Sequence, residues 1–125
     1  MVTRILVVDD QPELRKLVRL TLELENFEVY EAESGQHCLE LLPVITPSLV
    51  IMDAMMPGRY DGFQACEKIK LRTPNVKVLM LTARAQKADI ELGKHVMCDA
   101  YITKPFSPLA LLEEVNSLIS SRMEA

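Results

Sequence analysis

Scarcities narrow the field first. The 125 residues include no tryptophan, three tyrosines and three phenylalanines, so the core has to be assembled from Leu, Ile, Val, Met and Ala, as in an ordinary soluble globule. Three cysteines, Cys38, Cys66 and Cys98, are odd in number, widely spaced and set in helix-like segments. That pattern supports neither a disulfide framework nor a zinc site, and reduced, semi-buried thiols are expected. The four glycines, Gly35, Gly58, Gly62 and Gly93, make no phosphate-cradling loop and no dinucleotide fingerprint. Nothing therefore implies ATP or a nicotinamide cofactor. His37 and His95 have no partner at metal-ligand spacing and read as structural or solvated residues, not as ligands or phosphodonors.

Long runs of one kind are missing too. The net charge is -4 and no stretch is rich in Lys or Arg, which argues against direct electrostatic binding to nucleic acid or to an anionic membrane. The apolar run in MVTRILVVDD is far shorter than a signal peptide or a membrane span, so a cytoplasmic protein without membrane contact is expected. No repeat, low-complexity tract or internal linker interrupts the chain, whose length suits a single domain over residues 1–125.

What is present alternates between two kinds of segment. Short, β-branched runs occupy Ile5 to Val8, Phe27 to Tyr30, Leu49 to Met52, Val76 to Leu81 and Ala100 to Thr103. The first, third and fourth are nearly all apolar, which predicts central strands of a parallel sheet covered on both faces. Between the runs lie stripes at helical spacing: Leu14, Leu17, Val18 and Thr21 after Pro12; Cys38, Leu41, Leu42 and Ile45; Phe63, Cys66 and Ile69; and Leu111, Leu112, Val115, Leu118 and Ile119. A further helix is expected around Gln86 to His95, where apolar residues are few and scattered, so its packing should be the weakest. Strands and helices alternating in this way predict an α/β domain, a doubly wound five-stranded parallel sheet with five helices and right-handed crossovers.

Ligands of such sheets bind beyond the carboxyl ends of the strands. The first strand delivers Asp9 and Asp10 there, the third Asp53, the fourth Thr82 and the fifth Lys104. Adjacent acids at ~5 Å repel by roughly 3 kcal/mol at an effective dielectric near 20, so the Asp9-Asp10 pair calls for a positive partner. Three carboxylates are hard oxygen ligands, enough to hold a Mg2+ that keeps several waters and also binds a phosphoryl group. A carboxylate is also a nucleophile toward phosphorus, while an ammonium and a hydroxyl balance charge on the transferred oxygens. Taken singly, Asp53 is a turn acid, Thr82 a strand-end hydroxyl and Lys104 an exposed lysine. Their joint placement on successive strand ends is what carries the chemistry.

In this order and spacing, VVDDQPELR, LVIMDAMMPGRYDGF, VLMLTAR and DAYITKPFSP make a sequence that resembles the receiver domain of two-component response regulators over essentially its whole length. The resemblance implies a flavodoxin-like (βα)5 fold, strand order 2-1-3-4-5, similar to the chemotaxis regulators. It implies Asp53 as phosphoacceptor, and Asp9 and Asp10 as the acidic pair for Mg2+, with Asp10 as direct ligand and Asp9 acting partly through water. The backbone carbonyl of Met55 matches the third protein ligand and Lys104 the lysine that pairs with the phosphoryl group. Thr82 matches the hydroxyl that moves to bind that group, and Tyr101 the aromatic switch that swings inward with it. The Lys104-Pro105 bond matches a cis peptide. The partners implied are a sensor histidine kinase or histidine phosphotransfer protein and a downstream effector that the sequence does not identify.

Three departures from the family pattern set further expectations. One extra residue between Asp53 and the Asp61-Gly62 pair predicts a bulged loop over MMPGRYDG. Met97-Cys98-Asp99 stands where the family usually places a glycine, in a turn that often needs positive φ, so that turn must differ or carry strain. Glu113 and Glu114 replace the basic character that winged-helix regulators use for dimerisation, and a monomer or weak dimer is expected. A haloacid dehalogenase-type phosphohydrolase would place its nucleophile on the first strand in an Asp-x-Asp pattern and would need a cap, whereas here the acids are adjacent and the chain is short. A purely structural module would be favoured if Asp10, Asp53 or Lys104 were missing, and all are present. The expected role is a phosphorylation switch, not an enzyme with a diffusible substrate. It promotes its own phosphorylation and dephosphorylation and signals through the face formed by residues 86–95, the fifth strand and the last helix.

Overall fold

The computed structural model describes residues 2–83 and 98–124. Five strands, β1 (Arg4–Val8), β2 (Glu28–Ala32), β3 (Leu49–Asp53), β4 (Lys77–Thr82) and β5 (Ala100–Thr103), form one parallel sheet in the order β2-β1-β3-β4-β5. Among the described residues there are four helices, α1 (Pro12–Glu23), α2 (Gly35–Ile45), α3 (Gly62–Arg72) and α4 (Pro108–Glu124). The helix expected around Gln86 to His95 lies outside the described residues. Strand order and doubly wound architecture are as expected.

Successive residues of a strand point to opposite faces, and here both faces are covered. Leu6, Val8, Val50, Met52, Val78 and Met80 pack on one side with Cys38, Leu42, Phe63, Cys66 and Ile69 of α2 and α3. Ile5, Val7, Leu49, Ile51, Leu79 and Leu81 pack on the other with Val18 and Leu22 of α1 and Leu111 and Val115 of α4. The apolar runs of β1, β3 and β4 follow directly, since these three are the interior strands. The three cysteines, distant in sequence, meet on the α2–α3 side as free thiols. Burial pushes Cys38 and Cys66 up to about 12, which leaves them unreactive.

Local signals set the helix boundaries. Pro12 opens α1 after an extended Gln11. Ser34 caps α2 by accepting the His37 N–H. His37 Nδ1 in turn accepts the Glu33 N–H at 3.3 Å, so this histidine is structural as expected. Asp61 and Gln64 form a reciprocal capping box at the start of α3. One expectation fails on α1: the buried stripe is Val18, Thr21 and Leu22, while Leu17 is 52% exposed. The inward face turns toward Leu22 because α1 packs on both the sheet and α4, leaving Leu17 on the rim of an apolar groove beside Pro105 and Phe106.

The loop expected to bulge after Asp53 turns through Gly58 at φ 109°, a conformation that suits glycine. The turn into β5 differs from the glycine version. Outside glycine, Asn26 and Thr46 are the residues with positive φ among those described, so Asp99 carries no such strain, and Met97 lies outside the described residues. Asp99 is instead tied in place. Its carboxylate accepts the Val78 N–H at 2.7 Å and pairs with Lys70 Nζ at 2.6 Å, and its own N–H donates to the Val78 carbonyl.

Candidate functional site

The parallel register brings the strand ends level, so residues far apart in sequence meet beyond them. Val8 lies beside Met52, Asp53 beside Leu81 and Thr82 beside Thr103. Carboxylate oxygens of Asp9, Asp10 and Asp53 lie within 4.8 Å of one another. Lys104 Nζ stands 3.3 Å from Asp53 Oδ1 and 3.7 Å from Asp9 Oδ2. Asp9 and Asp53 are buried, whereas Asp10 is exposed at the mouth.

Each buried acid is held through its backbone and one oxygen. Asp9 Oδ1 accepts the Gln11 N–H at 2.8 Å, the Asp9 N–H donates to the Ala32 carbonyl, and the Asp9 carbonyl accepts from Arg15 Nη1 at 2.7 Å. Asp53 Oδ1 accepts the Met55 N–H at 3.2 Å. The other Asp9 oxygen, Oδ2, is buried and has no hydrogen-bond partner among the described residues.

Electrostatics point the same way. Burial raises the pKa of Asp9; the Gln11 N–H opposes the rise and the charge of Asp53 adds to it. Burial raises Asp53 as well, opposed first by the charge of Lys104 and then by the Met55 N–H. Among the described residues, one lysine faces two buried carboxylates and a third at the mouth, which leaves these acids short of positive charge. An orphaned buried oxygen among three converging carboxylates fits a hard divalent cation such as Mg2+. A cation there would satisfy Asp9 Oδ2 and offset the acids.

The spacing depends on a glycine whose role was not read from the sequence. A Cβ on Gly62 would lie 2.2 Å from the Asp53 carbonyl oxygen and 2.7 Å from Ala54 Cα. The Gly62 N–H meanwhile donates to the Ala54 carbonyl at 2.9 Å. Helix α3 therefore starts directly on the backbone that carries Asp53, an approach open only to a residue without a Cβ.

The other expected residues also sit at this edge or beside it. Thr82 ends β4, is buried, and its carbonyl accepts the Lys104 N–H at 2.7 Å. Lys104-Pro105 is cis. Met55 is half-exposed in the loop after β3. Tyr101, half-buried on β5, packs against the α2–α3 core and shares a hydrogen bond with the Cys98 thiol.

Comparison with known proteins decides the family. The response regulator receiver domain profile matches residues 5–116. The chain belongs to that family. Its receiver domain is 40% identical over 119 residues, 94% of this chain and 48% of the relative, to the transcriptional regulatory protein ResD of Bacillus subtilis (strain 168). Among solved structures it is similar to a CheY-like response regulator receiver domain protein from Methanospirillum hungatei JF-1, with TM-score 0.94 and 27% identity over 99% of this chain and 98% of that one. It is also similar to DrrB, an OmpR/PhoB homologue of Thermotoga maritima, with TM-score 0.89 and 30% identity over 97% of this chain and 54% of that one. The chain spans about half the length of the curated relatives it matches. Among the described residues, no helix of the receiver domain is long and apolar enough to cross a membrane.

Proposed function

We propose that the receiver domain is a phosphoacceptor switch that takes a phosphoryl group onto Asp53 from a sensor histidine kinase or a histidine phosphotransfer protein. The observation that carries this reading is the convergence of Asp9, Asp10 and Asp53 within 4.8 Å, with Lys104 Nζ 3.3 Å from the acceptor carboxylate. An Asp53 oxygen attacks phosphorus, the P–N bond of a phosphoimidazole donor breaks, and the departing electron pair on nitrogen is protonated by solvent. Lys104 balances charge on the transferred oxygens and Thr82 supplies a hydroxyl to them. The chemistry that Mg2+ supplies, when held by Asp9, Asp10, Asp53 and the Met55 carbonyl, is charge neutralisation of the same phosphoryl oxygens.

Hydrolysis of the acyl phosphate resets the switch, so the domain orients its own phosphorylation and dephosphorylation without turning over a diffusible substrate. Response passes from Thr82 to Tyr101 and alters the surface offered to a downstream partner. The longer relatives are named as transcriptional regulators, which favours a transcriptional effector downstream, reached in the cytoplasm through protein contact and not through direct nucleic-acid binding by this domain. The test is incubation with acetyl phosphate or beryllium fluoride plus Mg2+, read by intact mass and peptide mapping. One adduct on Asp53, abolished in Asp53→Asn, is expected. Label on His37 or His95, or undiminished label in Asp53→Asn, overturns the assignment.

A further inference from the structure

Arg15 lies on α1, one turn beyond the acidic pair, yet its guanidinium reaches back across the β1–α1 loop. Nη1 donates to the Asp9 carbonyl at 2.7 Å and Nε to Glu31 Oε1 at 2.8 Å. Glu31 sits on β2 beside Val7 of β1, and its other oxygen is paired with Arg19 Nη1 at 2.7 Å. The side chains of Arg15 and Glu31 are only 17% and 25% exposed. Hydrogen bonds from Arg19 first, and then from Arg15, hold the Glu31 carboxyl below its ordinary value. The guanidinium is thus gripped by a charged partner on a strand and is fixed before it meets the loop.

The carbonyl that it holds is a particular one. The Asp9 C=O belongs to the planar peptide that joins Asp9 to Asp10. Its direction sets ψ of Asp9 and restricts φ of Asp10, and so sets where the Asp10 side chain leaves the backbone. Asp9 has anchors of its own in Gln11 and Ala32. Asp10, the exposed member, is aimed through this peptide. We infer, on the basis of the phosphoacceptor reading above, that Arg15 is a positioning residue of the cation site: it locks the Asp9-Asp10 peptide so that the Asp10 carboxylate converges with Asp9 and Asp53.

Charge and positioning make opposite predictions here. A cation near a cation site repels its occupant, so if Arg15 acts only by charge, its neutralisation tightens Mg2+ binding and Arg15→Lys leaves it unchanged. If Arg15 positions the peptide, both substitutions weaken binding, because neither side chain has a planar fork spanning Glu31 and the Asp9 carbonyl. Loss of an outer partner that orients metal ligands typically costs about tenfold or more in metal affinity.

The experiment is isothermal titration of Mg2+ into the wild-type protein, Arg15→Gln and Arg15→Lys. The Asp10 amide resonance of the metal-free proteins is followed by NMR, since that N–H shares the peptide with the held carbonyl. The expected result is Mg2+ affinity roughly tenfold weaker in both variants, with the Asp10 amide shifted before any metal is added. Tighter binding by Arg15→Gln, or wild-type affinity and an unmoved Asp10 amide in Arg15→Lys, overturns the inference while leaving the phosphoacceptor reading intact. Absence of Mg2+ binding by the wild-type protein overturns both. Should Arg15→Gln not fold, Arg15→Lys decides alone, because it keeps the charge and removes the fork.

Discussion

Removing the charge of Asp10 should make the metal-free protein more stable, the reverse of what most substitutions do. Asp10 is exposed, and its carboxylate lies within 4.8 Å of those of two buried acids. At that separation each like-charge pair costs about 3.5 kcal/mol at an effective dielectric of 20 and about 1 kcal/mol in bulk water. Lys104 is placed to offset Asp9 and Asp53, at 3.7 and 3.3 Å. Exposure of Asp10 weights the estimate toward the aqueous limit, so Asp10→Asn should add about 1–3 kcal/mol in EDTA. For a domain of this size that is a rise in melting midpoint of roughly 4–10 °C.

Saturating Mg2+ closes this gap or reverses it. A ligand at a hundredfold over its dissociation constant stabilises the native state by about 2.7 kcal/mol. The wild-type protein should gain this increment and Asp10→Asn should lose most of it. Thermal unfolding followed by circular dichroism, with EDTA and then with millimolar Mg2+, reads both effects on the same samples. Added salt should shrink the gap seen in EDTA, since one member of each pair is exposed and screened. An Asp10→Asn midpoint at or below wild type in EDTA refutes the electrostatic reasoning. A full Mg2+ shift in Asp10→Asn refutes the placement of Asp10 in the cation site.

Two further outcomes follow from the same edge of the sheet. Gly62→Ala forces a methyl group against the Asp53 carbonyl and Ala54 Cα, and should cost at least about 2–3 kcal/mol in urea unfolding and slow labelling by acetyl phosphate; near-wild-type values for both would show that α3 shifts without disturbing Asp53. Because Asp9 and Asp53 hold protons above the ordinary value of 3.8, the metal-free native state binds more protons than the unfolded chain from that value up to the raised ones. Their contribution to stability is therefore lost as pH rises through that window, so wild type should fall relative to Asp53→Asn as pH rises above 3.8; a constant difference would mean that Asp53 is not destabilised by burial.

Interior strands and the start of α1 at Pro12 were legible because their causes are local. The runs LVV, LVIM and VLML carry apolar side chains on both faces, and that pattern has one home in a doubly wound sheet. The edge strand was harder. Expected at Phe27 to Tyr30, it runs Glu28–Ala32, because Glu31, a poor strand residue by composition, is held there by Arg15 and Arg19. Leu17 was misplaced because a stripe four residues deep on α1 has more than one inward orientation, and packing against the sheet and α4 together selects Leu22 over it. The polar ends of the strands could be read by counting, since register places them together. Arg15 and Gly62 could not, because their partners are backbone atoms brought near by folding, an Asp9 carbonyl in one case and the Asp53–Ala54 backbone in the other.

The hold on β5 explains how a phosphoryl group at Asp53 could be felt elsewhere. This strand has four residues, three of them half-buried and one exposed, so apolar packing fixes it less firmly than β1, β3 or β4. Specific polar contacts flank it. Before the strand, the Asp99 carboxylate bridges Lys70 of α3 and the Val78 N–H of β4. After it, the Lys104 N–H donates to the Thr82 carbonyl. The two residues proposed to meet the phosphoryl oxygens, Thr82 and Lys104, therefore share a backbone hydrogen bond. In the proposed switch, movement of Thr82 toward the phosphoryl group would pull on that bond, with the Asp99 end anchored to α3. Tyr101 lies between these two holds, paired with Met80, on the stretch of chain where such a displacement must be absorbed.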